Sequence, residues 1–98
     1  MFSFKDISYN PRITCTDGFN ISVQAHSGAY SQRNTEGDLL TVECGYPSTT
    51  PKTAELRNYA ECFDGTDYTE TVYGYVPVEV VQAELDAHGG ILDGCLPS

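Results

Sequence analysis

Apolar and polar positions alternate most clearly in the last third of the chain. Thr71 to Val76 interleaves β-branched and aromatic residues with smaller ones and predicts a strand. Pro77 follows where a helix can open, because its fixed φ suits the first turn and its missing N–H costs nothing there. Glu79 in that turn favours the helix dipole. Val78, Val81 and Leu85 recur at helical spacing, with Ala87 close to the same side. Val80 and Ala83 broaden this stripe, and Glu79, Gln82, Glu84 and Asp86 form the polar side. His88 closes the last turn, where the dipole accounts for it, and Gly89-Gly90 supplies a left-handed stop.

The same reading predicts further elements upstream. Phe2 to Tyr9 is an opening segment anchored by Phe2, Phe4 and Ile7, and Asn10-Pro11 marks a turn. Arg12–Thr14 reads as a strand and Thr16-Asp17-Gly18 as a hairpin turn. Phe19–His26 is a strand with Phe19, Ile21, Val23 and Ala25 on one face. Ser27 to Asp38 is a polar loop, and Leu39–Gly45 is a strand with Leu40, Val42 and Cys44 inside. After the loop Tyr46 to Pro51, Thr50 is placed to cap a short helix through Ala54, Leu56 and Tyr59, with Pro51 in its first turn. Glu61 to Asp67 is an acidic loop, and Ile91 to Ser98 is a tail that tucks Ile91, Leu92 and Leu96 against the core.

This order predicts an α+β fold: a small antiparallel sheet of about four strands with one C-terminal helix packed on one face, in a single domain 1–98. The outward sheet positions are Arg12, Thr14, Asn20, Ser22, Gln24, His26, Thr41, Glu43, Tyr73 and Tyr75. Tyr73 and Tyr75 stand two apart on that face, suited to an interface or to cross-strand pairing. Ninety-eight residues bury a modest core, so contacts within a homo-oligomer or with a partner are one source of added stability.

Charge narrows the partners. Fourteen acidic residues against five basic ones give a formal charge of −9, which disfavours direct nucleic-acid binding and anionic membranes and favours a basic protein surface. The same acidity also serves plain solubility. Up to Thr49, five acids against three basic residues leave −2; from Thr50 onward, nine against two leave −7. Such a half is suited to imitate a nucleic-acid backbone in a basic groove. No apolar run follows the first residues as in a secretory signal, and none approaches a membrane span, so a cytoplasmic setting with reduced cysteines is expected. Cys15, Cys44, Cys62 and Cys95 form no CxxC pair, and Cys15 and Cys44 fall at inward strand positions.

Catalytic and metal patterns are sparse. His26 and His88 lie on different elements, and no histidine pair has metal spacing. His26, Tyr30 and Arg33 are placed to line a small site. Asp64-Gly65-Thr66-Asp67 with Glu70 departs from the EF-hand order and reads as a solvated acidic loop. No serine or cysteine nucleophile and no phosphate-binding glycine motif has its context, so neither enzyme activity nor a cofactor is expected.

The segments NPRITCTDGFNISVQAHSGAY, TVECGYPS, YAE and ETVYGYVPVEVVQAELDAHGG resemble a family of small uncharacterised bacteriophage and prophage proteins. The likeness covers most of Asn10 to Gly90 and is most distinctive at VYGYVPVEVV. It implies an accessory phage protein of the host cytoplasm, a class that often blocks host defences as anti-CRISPR proteins do. The expectation is a non-enzymatic inhibitor that meets a host defence protein through Glu61, Asp64, Asp67, Glu70, Tyr73 and Tyr75. One alternative is a sponge for a small signalling nucleotide, held by Arg12, His26, Tyr30, Arg33 and Arg57 at a subunit interface. Another is a virion or assembly accessory protein.

Overall fold

The computed structural model describes residues 10–26, 29–61 and 67–97. The expected anchors Phe2, Phe4 and Ile7, together with Cys62 and Asp64, lie outside these residues. The elements run β1 (Ile13–Cys15), β2 (Asn20–Gln24), β3 (Gln32–Arg33), β4 (Leu39–Gly45), α1 (Ala54–Arg57), a 3₁₀ turn (Tyr68–Glu70), β5 (Val72–Pro77), α2 (Val78–Ala87) and β6 (Ile91–Asp93). The fold is α+β, with more strands than the sequence pattern indicates. Every strand pairing is antiparallel.

Strand β4 is the hub. Along one edge it pairs with β5, from Thr41 opposite Pro77 to Gly45 opposite Val72. Its other edge is shared: β2 takes Glu43–Gly45 and β3 takes Leu39–Thr41. From β2 the sheet continues through β1 to β6. The expected polar loop therefore carries a two-residue strand, and part of the expected tail is a sheet edge. Ile91 and Leu92 remain exposed on that edge, while Leu96 packs against the core.

Helix α2 lies against β4 and β5, and α1 packs on α2. Val81 and Leu85 are fully buried with Ile21, Val23 and Val42 in one cluster, which also takes in Ile13, Cys15, Phe19, Cys44, Leu56, Tyr73 and Val76. Burying one such aliphatic side chain contributes about 1.5–3 kcal/mol. Ala83 and Ala87 face solvent instead of widening the stripe. Their places are taken by Glu84 and His88, which share the buried side with Val81 and Leu85 at spacings of three and four. Leu40 is exposed, whereas its neighbour Leu39 packs on the core. The short helix begins later than expected, with Thr53 as its N-cap: the Thr53 hydroxyl accepts the Leu56 N–H at 3.3 Å.

A bulge in β5 corrects the outward face. Val76 stands opposite Val42 and Tyr73 opposite Cys44, so Gly74 and Tyr75 together face the single residue Glu43. The extra residue puts Tyr73 and Val76, three apart, both in the core. Tyr73 is thus not a surface residue, and it does not share a face with Tyr75. Gln24 is also buried: its side-chain amide exchanges two 2.7 Å hydrogen bonds with the backbone of Asn10, whose chain crosses that face.

Helix α2 ends in a Schellman motif. The Gly90 N–H donates to the Leu85 carbonyl at 3.0 Å and the Gly89 N–H to that of Asp86 at 3.1 Å. Gly89 has φ +90 and Gly90 has φ +89. A Cβ on Gly89 would collide with the Thr16 hydroxyl, whereas one on Gly90 would meet nothing. Gly89→Ala should cost about 1–3 kcal/mol, and Gly90→Ala should stay near the lower end of that range, where only the positive φ acts. Urea titrations of the two variants measure this difference; equal losses would remove Thr16 from the account.

Candidate functional site

Two groups of side chains stand out, one buried and one on the surface. The buried group joins three distant parts of the chain. Glu84 on α2 is 1% exposed, and its carboxylate accepts four hydrogen bonds. The donors are the Lys52 N–H (2.8 Å), the Thr53 N–H (2.9 Å), the Thr53 hydroxyl (2.8 Å) and His88 Nε2 (2.7 Å). His88 Nδ1 lies 2.7 Å from Asp17 Oδ2 in the β1–β2 turn. Both ring nitrogens thus face carboxylates, one on each side of the ring. The ring also stacks on Phe19, with centroids 3.8 Å apart and planes 6° from parallel.

The same turn closes the end of α2. The Thr16 and Asp17 N–H groups donate to the Gly90 and His88 carbonyls, and Lys52 Nζ donates to that of Ala87 at 3.2 Å. His88 is thus held by two carboxylates and an aromatic face, a tighter tie than the helix dipole alone supplies. Burial pushes the Glu84 carboxyl up, but the Lys52 and Thr53 N–H groups, the Thr53 hydroxyl and His88 outweigh it and hold the group below the usual carboxylate range. The Asp17 carboxyl is lowered first by the Phe19 N–H and next by its bond to His88.

The cluster has the residue types of an acid–base relay but not the access of one. His88 is buried and its ring is covered by Phe19. Thr53 spends its hydroxyl on Glu84 and on the cap of α1. Burial pushes the nearby Cys15 thiol up, and its sulfur lies 3.8 Å from the Leu85 carbonyl. The arrangement acts as a latch that pins the hairpin turn and the start of α1 to α2. Among the described residues no group of three or more His, Cys, Asp or Glu is placed to hold a metal ion. Cys15 and Cys44 are buried and free, as their inward positions lead one to expect, and Cys95 is free and exposed.

The surface group gathers around the β5 bulge. Tyr75 has φ +52, a left-handed conformation unusual for a bulky residue, and is 48% exposed. Its N–H donates to the Tyr30 carbonyl at 3.0 Å, and the two rings stack with centroids 5.7 Å apart. Beside them, the Glu61 N–H donates to the Val72 carbonyl at 2.9 Å, and the Glu61 carboxylate and the Tyr30 ring meet at the same face of Gly74. Asp67 caps the 3₁₀ turn by accepting the Thr69 N–H at 2.9 Å. That bond and one from the Thr69 hydroxyl lower the Asp67 carboxyl and keep it charged. Buried Tyr73 fixes the turn from beneath, its hydroxyl donating to the Tyr68 carbonyl at 2.6 Å. Asp67 and Glu70 are exposed on this turn, which leads directly into β5.

The expected partner-binding residues therefore divide. Glu61, Asp67, Glu70 and Tyr75 are at the surface, Tyr73 is their internal support, and Asp64 is outside the described residues. Tyr30, expected in the alternative ligand set, joins Tyr75 instead. The arginines of that set are separated. Arg12 donates to the Asn20 side chain and to the Tyr46 carbonyl at 2.6 Å, beyond the end of β4. Arg33 lies opposite Leu39 at the other end and donates to the Gly37 carbonyl at 2.9 Å. At about 3.3 Å per residue, those ends of β4 are roughly 20 Å apart. Arg57 sits on α1 and donates to the Pro51 and Lys52 carbonyls. His26 is half-buried at the end of β2.

Two outcomes test this description. Asp17 and Glu84 titrate below the ordinary carboxylate range of about 4, so their unfolded forms take up protons first as the pH falls. The stability they add is complete above that range and is lost as the pH falls through their lower folded values. Glu84→Gln should cost about 2–4 kcal/mol near neutral pH and flatten the acid limb of stability, measured by denaturation at a series of pH values. Tyr75→Gly should leave stability unchanged or raise it by up to about 1 kcal/mol, because glycine adopts positive φ without strain and the ring is half-exposed. A clear loss in its thermal melt would mean the ring is needed for the fold. No family model, curated protein or solved structure matches the chain.

Proposed function

We propose that the protein is a non-enzymatic inhibitor that docks on a basic protein surface through the β5 side of its sheet. In the setting implied by the phage resemblance, that surface belongs to a host defence protein, in the manner of an anti-CRISPR. The observation that carries the reading is the clustering of exposed Glu61 with Tyr30 and Tyr75, beside a capped turn that presents Asp67 and Glu70. Complementary charge steers such an encounter, and tyrosine is well suited to the contact that follows. The histidine-centred cluster, the other concentration of ionisable groups, is occupied in holding the fold together. The nucleotide-sponge reading draws less support, because Arg12, Arg33 and Arg57 are each tied to backbone carbonyls on separate elements.

The test is charge reversal that spares the Asp67 cap. Glu61→Lys with Glu70→Lys should fold with little change in melting temperature but associate more slowly with the defence protein, and wild-type binding should weaken as salt rises. Association rates across a salt series measure both effects. If the double variant folds and inhibits at wild-type potency, the acidic surface is not the binding surface.

A further inference from the structure

We propose that Tyr30, Tyr75 and Glu61 form a seat for one arginine side chain of the partner protein, an inference that rests on the reading above of a basic protein partner. A guanidinium is attracted to the face of a tyrosine ring within about 6 Å of its centroid, and its flat shape stacks there better than an ammonium does. The two rings offer such faces. Their centroids are 5.7 Å apart, their planes are inclined by 25°, and both are about half-exposed. The spacing is set by the backbone, through the Tyr75 N–H on the Tyr30 carbonyl. Glu61 supplies the counter-charge. Its carboxylate reaches the same face of Gly74 as the Tyr30 ring, an approach that any side chain at position 74 would block. An anion beside an aromatic pair is matched by a cation with a flat, apolar face, which describes arginine and not a neutral or acidic side chain.

The backbone adds an independent argument. Tyr75 occupies a conformation in which glycine would be unstrained, yet its ring is only half-buried. Burial therefore does little to account for a tyrosine there. A role for the exposed ring does, since local strain persists where it serves a site. The net charge of −9 and the acidic turn leading into β5 supply the long-range attraction for a cation.

The experiment titrates the full chain with N-acetyl-arginine N-methylamide at low salt and follows the amide and ring resonances by NMR. The neutral citrulline analogue, close to it in shape, is the control. The arginine compound should shift Tyr30, Gly74 and Tyr75 selectively and saturate in the millimolar range, with citrulline about tenfold weaker. Tyr75→Gly and Glu61→Gln should each weaken the arginine compound by about three- to tenfold while the domain stays folded. Equal shifts with citrulline, shifts spread over the whole surface, or unchanged affinity in both variants would overturn the seat. If partner binding is salt-sensitive while the arginine compound leaves these resonances unmoved, the seat fails and the acidic surface stands. If the compound seats normally while the charge-reversed chain inhibits at full potency, the seat stands and the acidic-surface reading fails.

Discussion

The fold depends on one buried carboxylate. Glu84 is withdrawn from water on the inner side of α2, a placement that costs several kcal/mol for an unpartnered charge. Four donors offset that cost, and three of them lie more than thirty residues upstream, at the start of α1. Through His88 the arrangement extends to Asp17 in the first hairpin. A single ionised group thereby sets where the hairpin turn, the start of α1 and the end of α2 lie relative to one another. Apolar packing draws these elements together without specifying that geometry, whereas hydrogen bonds to a buried charge demand it.

The surface around β5 rests on a second local constraint, the bulge. Inserting Gly74 and Tyr75 opposite Glu43 turns Tyr73 inward, where its hydroxyl supports the 3₁₀ turn, and leaves Tyr75 outward beside Tyr30. Neighbouring tyrosines thus have opposite tasks. One holds the acidic turn in place, and the other belongs to the surface that the turn adjoins. The bulge, more than the helix, decides which residues stand on that surface.

Much of the frame was legible in the sequence because it depends on local signals. The strand Leu39–Gly45 with Val42 and Cys44 inside, the Thr16-Asp17-Gly18 turn, the opening of α2 after Pro77 and its glycine stop are where the pattern puts them, whereas Leu40 is not. The features that differ from the pattern depend on contacts between distant residues. Chemistry alone puts Glu84 on the polar side, although its spacing from Val81 and His88 puts it on the buried stripe. That spacing is the available signal, and the donors on Lys52, Thr53 and His88 make the burial tolerable. Strict alternation puts Tyr73 outward, and a bulge breaks it; Gly74 in mid-strand is its sign in the sequence. The pairing of Tyr30 with Tyr75 had no local signal, since forty-five positions separate them. Strand β6 was hidden by its exposed apolar residues, which gain a place from edge pairing and not from burial.

The three-way pairing of β4 also bears on how the chain finds its fold. Its partners β2 and β3 both precede it in the chain, but its long edge is completed by β5, whose Tyr73 lies twenty-nine residues after its partner Cys44. The ten-residue α2 is too short to be more than marginally helical alone, and it follows β5 without a gap. The surface against which it packs exists only once β4 and β5 have joined. A stable α2 is therefore tied to a distant strand pairing, a non-local contact of the kind that slows assembly in small domains.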